Sequence, residues 1–314
     1  MTTEARPKSR RRRRKPPPPL HSPRLWPSWL AVGAAWLAAR LPLRWLIALG
    51  RFVGLAGWHL ARNRRHIAEV NLALCFPERS AAERERLARA SFVHAGVSLA
   101  EMILVWLNPR RRLDERFTLS GIEHLERAAA AGRGVILLAG HFSCIDVASG
   151  PVSRVAEVDV MYRANKNPVW EWLQVRGRRH YFDGVIERED TRQMLRRLKA
   201  GRTIWYAADQ DYGRRHSVFA PFFGVPAATI TATARLARFN GSPVVFLAQY
   251  RNLDTLTWEA RFHPPLEGYP SGDDLADARR INAMIEQAVR EHPEQYLWLH
   301  RRFKTRPAGE ARPY

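Results

Sequence analysis

Short apolar runs bounded by glycine recur through the second half of the chain, and amphipathic stretches separate them. Val135 to Ala139 is five apolar residues between two glycines, the pattern of a strand buried on both faces. Val158 to Arg163, Thr203 to Ala208 and Pro243 to Arg251 read as three further strands. Elsewhere the period lengthens to that of helices. Ser80-Ala-Ala-Glu83 is a capping box opening a helical pattern that continues to Leu107, ahead of Asn108-Pro109. Gly121 to Ala131, a short segment opened by Asp190-Thr-Arg-Gln193 and stopped by Gly201, Ala228 to Phe239, and Asp273 to Glu291 complete the helices. The last of these follows Trp258 to Phe262. Strands alternating with helices predict an α/β fold with a largely parallel central sheet over residues 113–306. Residues 63–112 form a helical region ahead of it, and 307–314 a C-terminal tail.

The N-terminal residues follow neither pattern. Residues 1–24 carry the basic run Lys8 to Lys15 and a block of four prolines, a composition that cannot build a core and predicts a disordered tail. From Leu25 to Leu60 the chain is rich in Leu, Ala, Val and Gly, with Trp26, Trp29, Trp36, Trp45 and Trp58 spread along it. Tryptophan favours the membrane interface, and basic residues flank both ends. Residues 25–62 are therefore expected to anchor the chain to a membrane. Arg40, Pro42, Arg44 and Arg51 interrupt the segment, and its cleanest apolar piece, Leu25 to Ala39, is shorter than the about 20 residues a spanning helix needs. A tilted, re-entrant or interfacial anchor is the leading expectation, with one spanning helix near Leu25 to Leu41 as the alternative. No cleavage-site pattern follows a short apolar core, so this is not read as a removed signal peptide.

Charge sharpens the picture. Among 314 residues, 51 Lys and Arg face 30 Asp and Glu, a formal net charge of +21, which predicts anionic partners such as anionic lipid, nucleic acid or an acidic protein. The only cysteines, Cys75 and Cys144, exclude a disulfide framework or a cysteine-rich zinc site. There is no G-x-x-x-x-G-K-[ST] and no G-x-G-x-x-G, so nucleotide-dependent chemistry has no support.

Candidate chemistry sits just beyond the strands. His141 and Asp146 follow Val135 to Ala139, on the side where open α/β sheets place their ligands. Five residues apart, they would face away from each other in one regular helix. They meet only across a turn, with Ser143 or Cys144 opening a helix and Asp146 in its first turn. Asp146 would then accept the proton of one imidazole nitrogen and leave the other as a base. Alone, the pair reads more readily as a loop histidine beside a helix-start carboxylate stabilised by the dipole. Cys144 also raises a Cys/His nucleophile, a weaker reading because nothing orients it. Two more strand ends carry polar clusters. MYRANKNP brings Arg163 and Asn167, and DQDYGRRHSVFAPFFG brings Asp209, Asp211, Arg214 and Arg215. Together they suggest a basic, aromatic-lined crevice for an anionic amphiphile. Near the C-terminus, YLWLHRRFKTRP adds Arg301, Arg302, Lys304 and Arg306, either a second basic contact or an exposed end.

The H-x4-D pair, MYRANKNP, DQDYGRRHSVFAPFFG, LCFPE at Leu74 to Glu78 and LWLHRRFKTRP together resemble the bacterial late acyltransferases of lipid A biosynthesis, the lauroyl/myristoyl group, within the wider lysophospholipid acyltransferase superfamily. The likeness runs from His21 nearly to the end. It implies a glycerolipid-acyltransferase-like fold and transfer of a fatty acyl chain, with lauroyl expected, from acyl carrier protein to a hydroxyl of a Kdo-containing lipid A precursor. That reaction would take place at the cytoplasmic face of the inner membrane, with no metal or other cofactor. His141 and Asp146 would be the catalytic pair, and Arg163, Asn167, Asp209, Asp211, Arg214 and Arg215 would bind substrate. Two positions depart from the group. Many members carry Glu where this chain has Asp146, and commonly Pro where it has Ala164.

Two other readings compete. A lysophosphatidate-type acyltransferase would share the H-x4-D but use a glycerolipid acceptor. A non-catalytic nucleic-acid-binding protein would use the arginine-rich arm, but the adjoining tryptophan-rich segment does not suit it and no nucleic-acid module is recognisable. Nucleic acid is not expected as a partner.

Overall fold

A computed structural model describes residues 18–314; the basic run Lys8 to Lys15 lies outside them. Four helices open the described chain: α1 (Trp26–Ala38), α2 (Leu43–Leu60), α3 (Arg62–Cys75) and α4 (Ala81–Leu107). The capping box at Ser80 forms as predicted. The Ser80 hydroxyl accepts from the Glu83 amide, and the Glu83 carboxylate accepts from the Ser80 amide. The rest alternates as β1 (Phe117–Ser120), α5 (Ile122–Ala130), β2 (Val135–Ala139), α6 (Ser149–Val155), β3 (Val158–Tyr162), α7 (Pro168–Arg178), β4 (Val185–Glu187), α8 (Thr191–Lys199) and β5 (Thr203–Ala207). It continues with β6 (Ser217–Phe222), β7 (Val225–Ile230), α9 (Ala232–Asn240), β8 (Val244–Asn252), β9 (Thr257–Phe262) and α10 (Asp274–Glu291).

Seven strands make the central sheet in the order β1-β9-β8-β2-β5-β3-β4. The five from β8 to β4 are parallel, and β9 turns back antiparallel to β8. β2, buried at every position, lies at the centre with β8 on one side and β5 on the other. The predicted α/β class and largely parallel sheet are therefore observed.

One predicted helix is partly a strand. Ala228 belongs to β7, which pairs antiparallel with β6, and α9 begins only at Ala232. The connecting residues Phe223 and Gly224 both have positive φ, 51° and 75°, as a two-residue type I′ turn requires. The usual Asn-Gly signature is absent, which hid the hairpin. The alanine-rich run across it favours helix locally, and pairing overrides that preference.

The N-terminal segment forms two short helices that lie against the core. With 13 residues, α1 is about 20 Å long, short of the about 30 Å hydrocarbon layer, and Arg40 to Pro42 break it from α2. The helix of the alternative near Leu25 to Leu41 is present as α1, but it ends short of the length that a perpendicular span needs. α2 crosses α4 closely. A Cβ on Gly96 would stand 2.2 Å from the Gly50 carbonyl oxygen and 2.3 Å from the Gly54 nitrogen, so only glycine fits. The outward faces remain apolar, with Trp26, Leu30, Trp36 and Leu37 exposed on α1 and Trp45, Leu49, Phe52 and Val53 on α2. Among the described residues one helix, α4, is long and apolar enough to cross a membrane, and most of its apolar window is buried in the fold.

Candidate active site

Strand register builds the site. Ala139 of β2 pairs with Ala207 of β5, so two residues beyond each strand end His141 and Asp209 arrive side by side. Asp209 is buried. One of its oxygens accepts from the His141 backbone amide at 2.9 Å, and the other meets the ring Nδ1 at 2.5 Å. The His141 side chain is 27% exposed and lines a cavity of about 430 Å³ at the carboxyl ends of the parallel strands. With Nδ1 held, Nε2 is the nitrogen left for chemistry.

The pair perturbs both partners. Burial pulls the imidazole down, but the charge and hydrogen bond of Asp209 outweigh it, with Asp146 adding to them, and His141 is raised above its ordinary 6.5. Burial pushes the Asp209 carboxyl up, yet His141 overrides that and holds it well below the usual carboxylate range. Asp209 is therefore the anionic orienter, and His141 the group whose charge changes.

This differs from the predicted pairing. Asp146 lines the same cavity, but its hydrogen-bond partner is Arg178, at 3.3 Å. No helix begins at Ser143 or Cys144 either. Residues 143–148 are turns, and α6 starts at Ser149. Asp209, expected to bind substrate, is instead the partner of the imidazole. Cys144 is buried, with its thiol pushed up to about 12 by burial, the opposite of an activated thiolate.

The other expected residues divide. Arg163, at the end of β3, lines the cavity. Asn167 does not; its side chain caps α7 by accepting from the Val169 amide at 2.9 Å and donates to the Ser28 hydroxyl at 2.8 Å. Asp211 is buried and accepts from the Gly213 amide, the Thr305 amide and the Thr305 hydroxyl, which makes it an anchor for its loop. Arg214 and Arg215 are exposed outside the cavity, and Arg214 donates to the Arg306 carbonyl. The arginines that join Arg163 around the cavity are Arg178 and Arg188. Arg178 is the last residue of α7 and Arg188 follows β4, two elements that hydrophobic pattern did not disclose. His300 also lines the cavity. Its Nε2 is buried without a partner, and burial lowers the ring to about 4. Arg302, by contrast, is buried and donates to the Ala228 carbonyl, so the C-terminal basic block is not simply an exposed end.

An imidazole held at Nδ1 by a buried carboxylate, on a cavity lined by three arginines at the end of a parallel sheet, has the groups that proton transfer on an anionic substrate needs. Comparison with known proteins gives that class its family. Residues 15–305 match the model for bacterial lipid A biosynthesis acyltransferases, and the chain belongs to that family. It is 37% identical over 293 residues to the lipid A biosynthesis palmitoleoyltransferase of Escherichia coli K12, covering 93% of this chain and 95% of the relative. It is also 37% identical over 288 residues to the lauroyltransferase of the same organism, 91% and 94% of the two chains. With its myristoyltransferase the identity is 32% over 298 residues, 93% and 91%. A solved 1-acyl-sn-glycerophosphate acyltransferase from Thermotoga maritima, 16% identical, superposes on 74% of this chain and 96% of its own with a TM-score of 0.36, too loosely to transfer any residue role. The protein is an acyltransferase of lipid A biosynthesis, which displaces both the glycerolipid-acceptor and the nucleic-acid readings.

Proposed function

We propose that the protein moves a fatty acyl chain from acyl carrier protein to a hydroxyl of a Kdo-containing lipid A precursor, with His141 as general base. The observation that carries this is the His141–Asp209 pair at the rim of the basic cavity. Nε2 takes the proton of the acceptor hydroxyl as its oxygen bonds to the thioester carbonyl carbon. The C–S bond then breaks, and the imidazolium returns the proton to the leaving thiolate. Asp209 fixes the tautomer and stabilises the imidazolium. Asp146, paired with Arg178, supplies a second carboxylate near the ring, and Arg163, Arg178 and Arg188 suit the anionic groups of the acceptor. Lauroyl is the chain to test first, although the lauroyl- and palmitoleoyl-transferring relatives are equally similar.

The outward stripes of α1 and α2 support interfacial docking at the inner membrane, with the cavity on the cytoplasmic side where acyl carrier protein resides. Trp45, Leu49, Phe52 and Val53 fall on one helical face, and Arg44 and Arg51 lie beside them.

Mass spectrometry of the product formed by purified enzyme from lauroyl- or palmitoleoyl-acyl carrier protein and lipid A precursor tests the reading. The wild type should add one acyl chain in an ester, and His141→Ala should lose about 10² to 10⁴ in rate while keeping its fold. Turnover by folded His141→Ala near the wild-type rate would overturn it.

A further inference from the structure

On the other side of β2 the same register rule places a second pair. Ala139 is level with Leu247 of β8, and β8 runs on to Asn252, so four residues further Arg251 comes level with Ser143, two residues past His141. Arg251 is 3% exposed, and all five of its guanidinium N–H groups are engaged. Nε donates to Glu101 Oε1 at 2.5 Å. One terminal nitrogen donates to Glu101 Oε2 and, at 3.0 Å, to the Ser143 carbonyl. The other donates to His94 Nδ1 at 3.0 Å and to the Ser143 hydroxyl at 3.2 Å. Glu101, itself buried, accepts also from Trp258 Nε1 at 2.7 Å.

The arrangement leaves no slack. His94 must accept at Nδ1 and so stays neutral, in keeping with a ring lowered to about 4 by burial and by Arg251. The backbone amide and carbonyl of Arg251 are bonded by the side chain of Gln295, each at 2.8 Å. The Gln295 carbonyl in turn accepts from the Ser143 amide at 2.8 Å. The Ser143 amide, carbonyl and hydroxyl are thus all held by one buried network.

We propose that the buried Glu101–Arg251 ion pair is a positioning device for the acyl-transfer site, holding Ser143 so that His141 stays seated on Asp209. A buried ion pair is often replaceable by apolar residues at little cost in stability. What apolar residues cannot reproduce is the directed grip on a backbone carbonyl and a hydroxyl two residues from the base. Lysine cannot reproduce it either, since three donors on one atom cannot span Glu101, His94 and Ser143.

The inference rests on His141 being the base, so the test runs beside His141→Ala. Arg251→Lys, Ser143→Ala and the apolar double variant Glu101→Met with Arg251→Met are compared with wild type for folding, kcat, KM and the pH profile of kcat/KM. Displacing a reacting group by 1 Å can cost about 10²-fold, so folded Arg251→Lys and the double variant should lose about 10- to 10²-fold in kcat with KM for both substrates nearly unchanged. Ser143→Ala, which keeps the carbonyl bond, should lose less. The acid limb should also move down in pH as the hold of Asp209 on His141 loosens, a displacement that general destabilisation does not produce. If the double variant does not fold, Arg251→Lys and Ser143→Ala decide. Wild-type kcat in folded Arg251→Lys, or a loss with the acid limb unmoved, overturns the positioning role. With His141→Ala inactive, that result removes the clamp alone; activity in His141→Ala removes the general-base reading beneath it.

Discussion

Exchanging a carboxylate for an amide at two positions separates the register-built pair from the sequence-adjacent one. Asp209→Asn keeps the size of the side chain but removes the charge facing Nδ1 at 2.5 Å and makes one of its two acceptor positions a donor. The imidazolium formed during proton transfer loses its counter-charge, and the amide can hold the wrong tautomer. In serine-protease triads the equivalent change costs about 10⁴, and a lower bound of about 10² covers a site that keeps a second carboxylate near the ring. Asp146→Asn disturbs a 3.3 Å contact with Arg178 and leaves the Nδ1 bond intact, so its loss should stay within about tenfold. The pH dependence carries an independent sign. A general base works when neutral, so kcat/KM falls as pH drops through the folded pKa of His141, which lies above 6.5. Removing Asp209 takes away the largest upward influence and leaves the downward pull of burial, so the acid limb of Asp209→Asn should shift to lower pH. Stopped-time assays with acyl carrier protein thioester and lipid A precursor, from about pH 5 to 9 to bracket the imidazole range, read both effects. Near-normal turnover by Asp209→Asn beside a collapsed Asp146→Asn would refute the assignment and return the orienting role to Asp146.

Two further outcomes follow from packing and exposure. Gly96→Ala forces a methyl group against backbone atoms of α2 on a crossing that has no side-chain end to yield; it should destabilise the fold by about 1–3 kcal/mol, measured by urea or thermal unfolding, and an unchanged midpoint would contradict the tight crossing. Trp45→Asp with Phe52→Asp replaces side chains that are 61% and 68% exposed, so stability should hold while affinity for vesicles of phosphatidylethanolamine and phosphatidylglycerol falls by about 10²-fold; unchanged vesicle binding would remove α2 from the docking face.

The sequence discloses elements where local chemistry is decisive. A five-residue apolar run between glycines, a Ser-x-x-Glu box and an Asp N-cap are local signals, and β2, α4 and α8 appear where those signals lie. The strands β1 and β4 span only four and three residues and carry little apolar pattern. Without β4 and α7, Arg188 and Arg178 had no place in the crevice. The error over Asp146 has a different origin. Proximity in sequence suggests a partner five residues away, whereas the partner observed is 68 residues away and is supplied by pairing of Ala139 with Ala207. Register is a tertiary property set by packing of whole strands, and no short stretch encodes it. The polar cluster after β5 is nevertheless legible as a cluster, which marks Asp209 as a candidate without disclosing its partner.

The blocks that carry the family likeness divide between reaction and scaffold, and the division explains why residues far from the chemistry recur among them. Phe76 of LCFPE, Phe223 of the third block and Trp298 near the C-terminus meet as one aromatic cluster, with ring centroids 4.9, 5.8 and 6.2 Å apart. That cluster fixes a strap running from Gln295 to Thr305, in which Trp298 and Phe303 are fully buried. The strap grips both the loop that carries His141 and the loop that carries Asp209. The Leu297 amide donates to the His141 carbonyl and the Gln295 carbonyl accepts from the Ser143 amide, while the Thr305 amide and hydroxyl hold Asp211 at 2.6 and 2.9 Å. Asp211 stands two residues from Asp209, and Ser143 two residues from His141. Each member of the pair is therefore located by the same segment, which sends only His300 into the cavity. A buried ion pair from α4 and β8 completes the hold on one loop, and the carboxylate of Asp211 completes it on the other. The geometry of the His141–Asp209 pair is thus set largely by groups outside the pair.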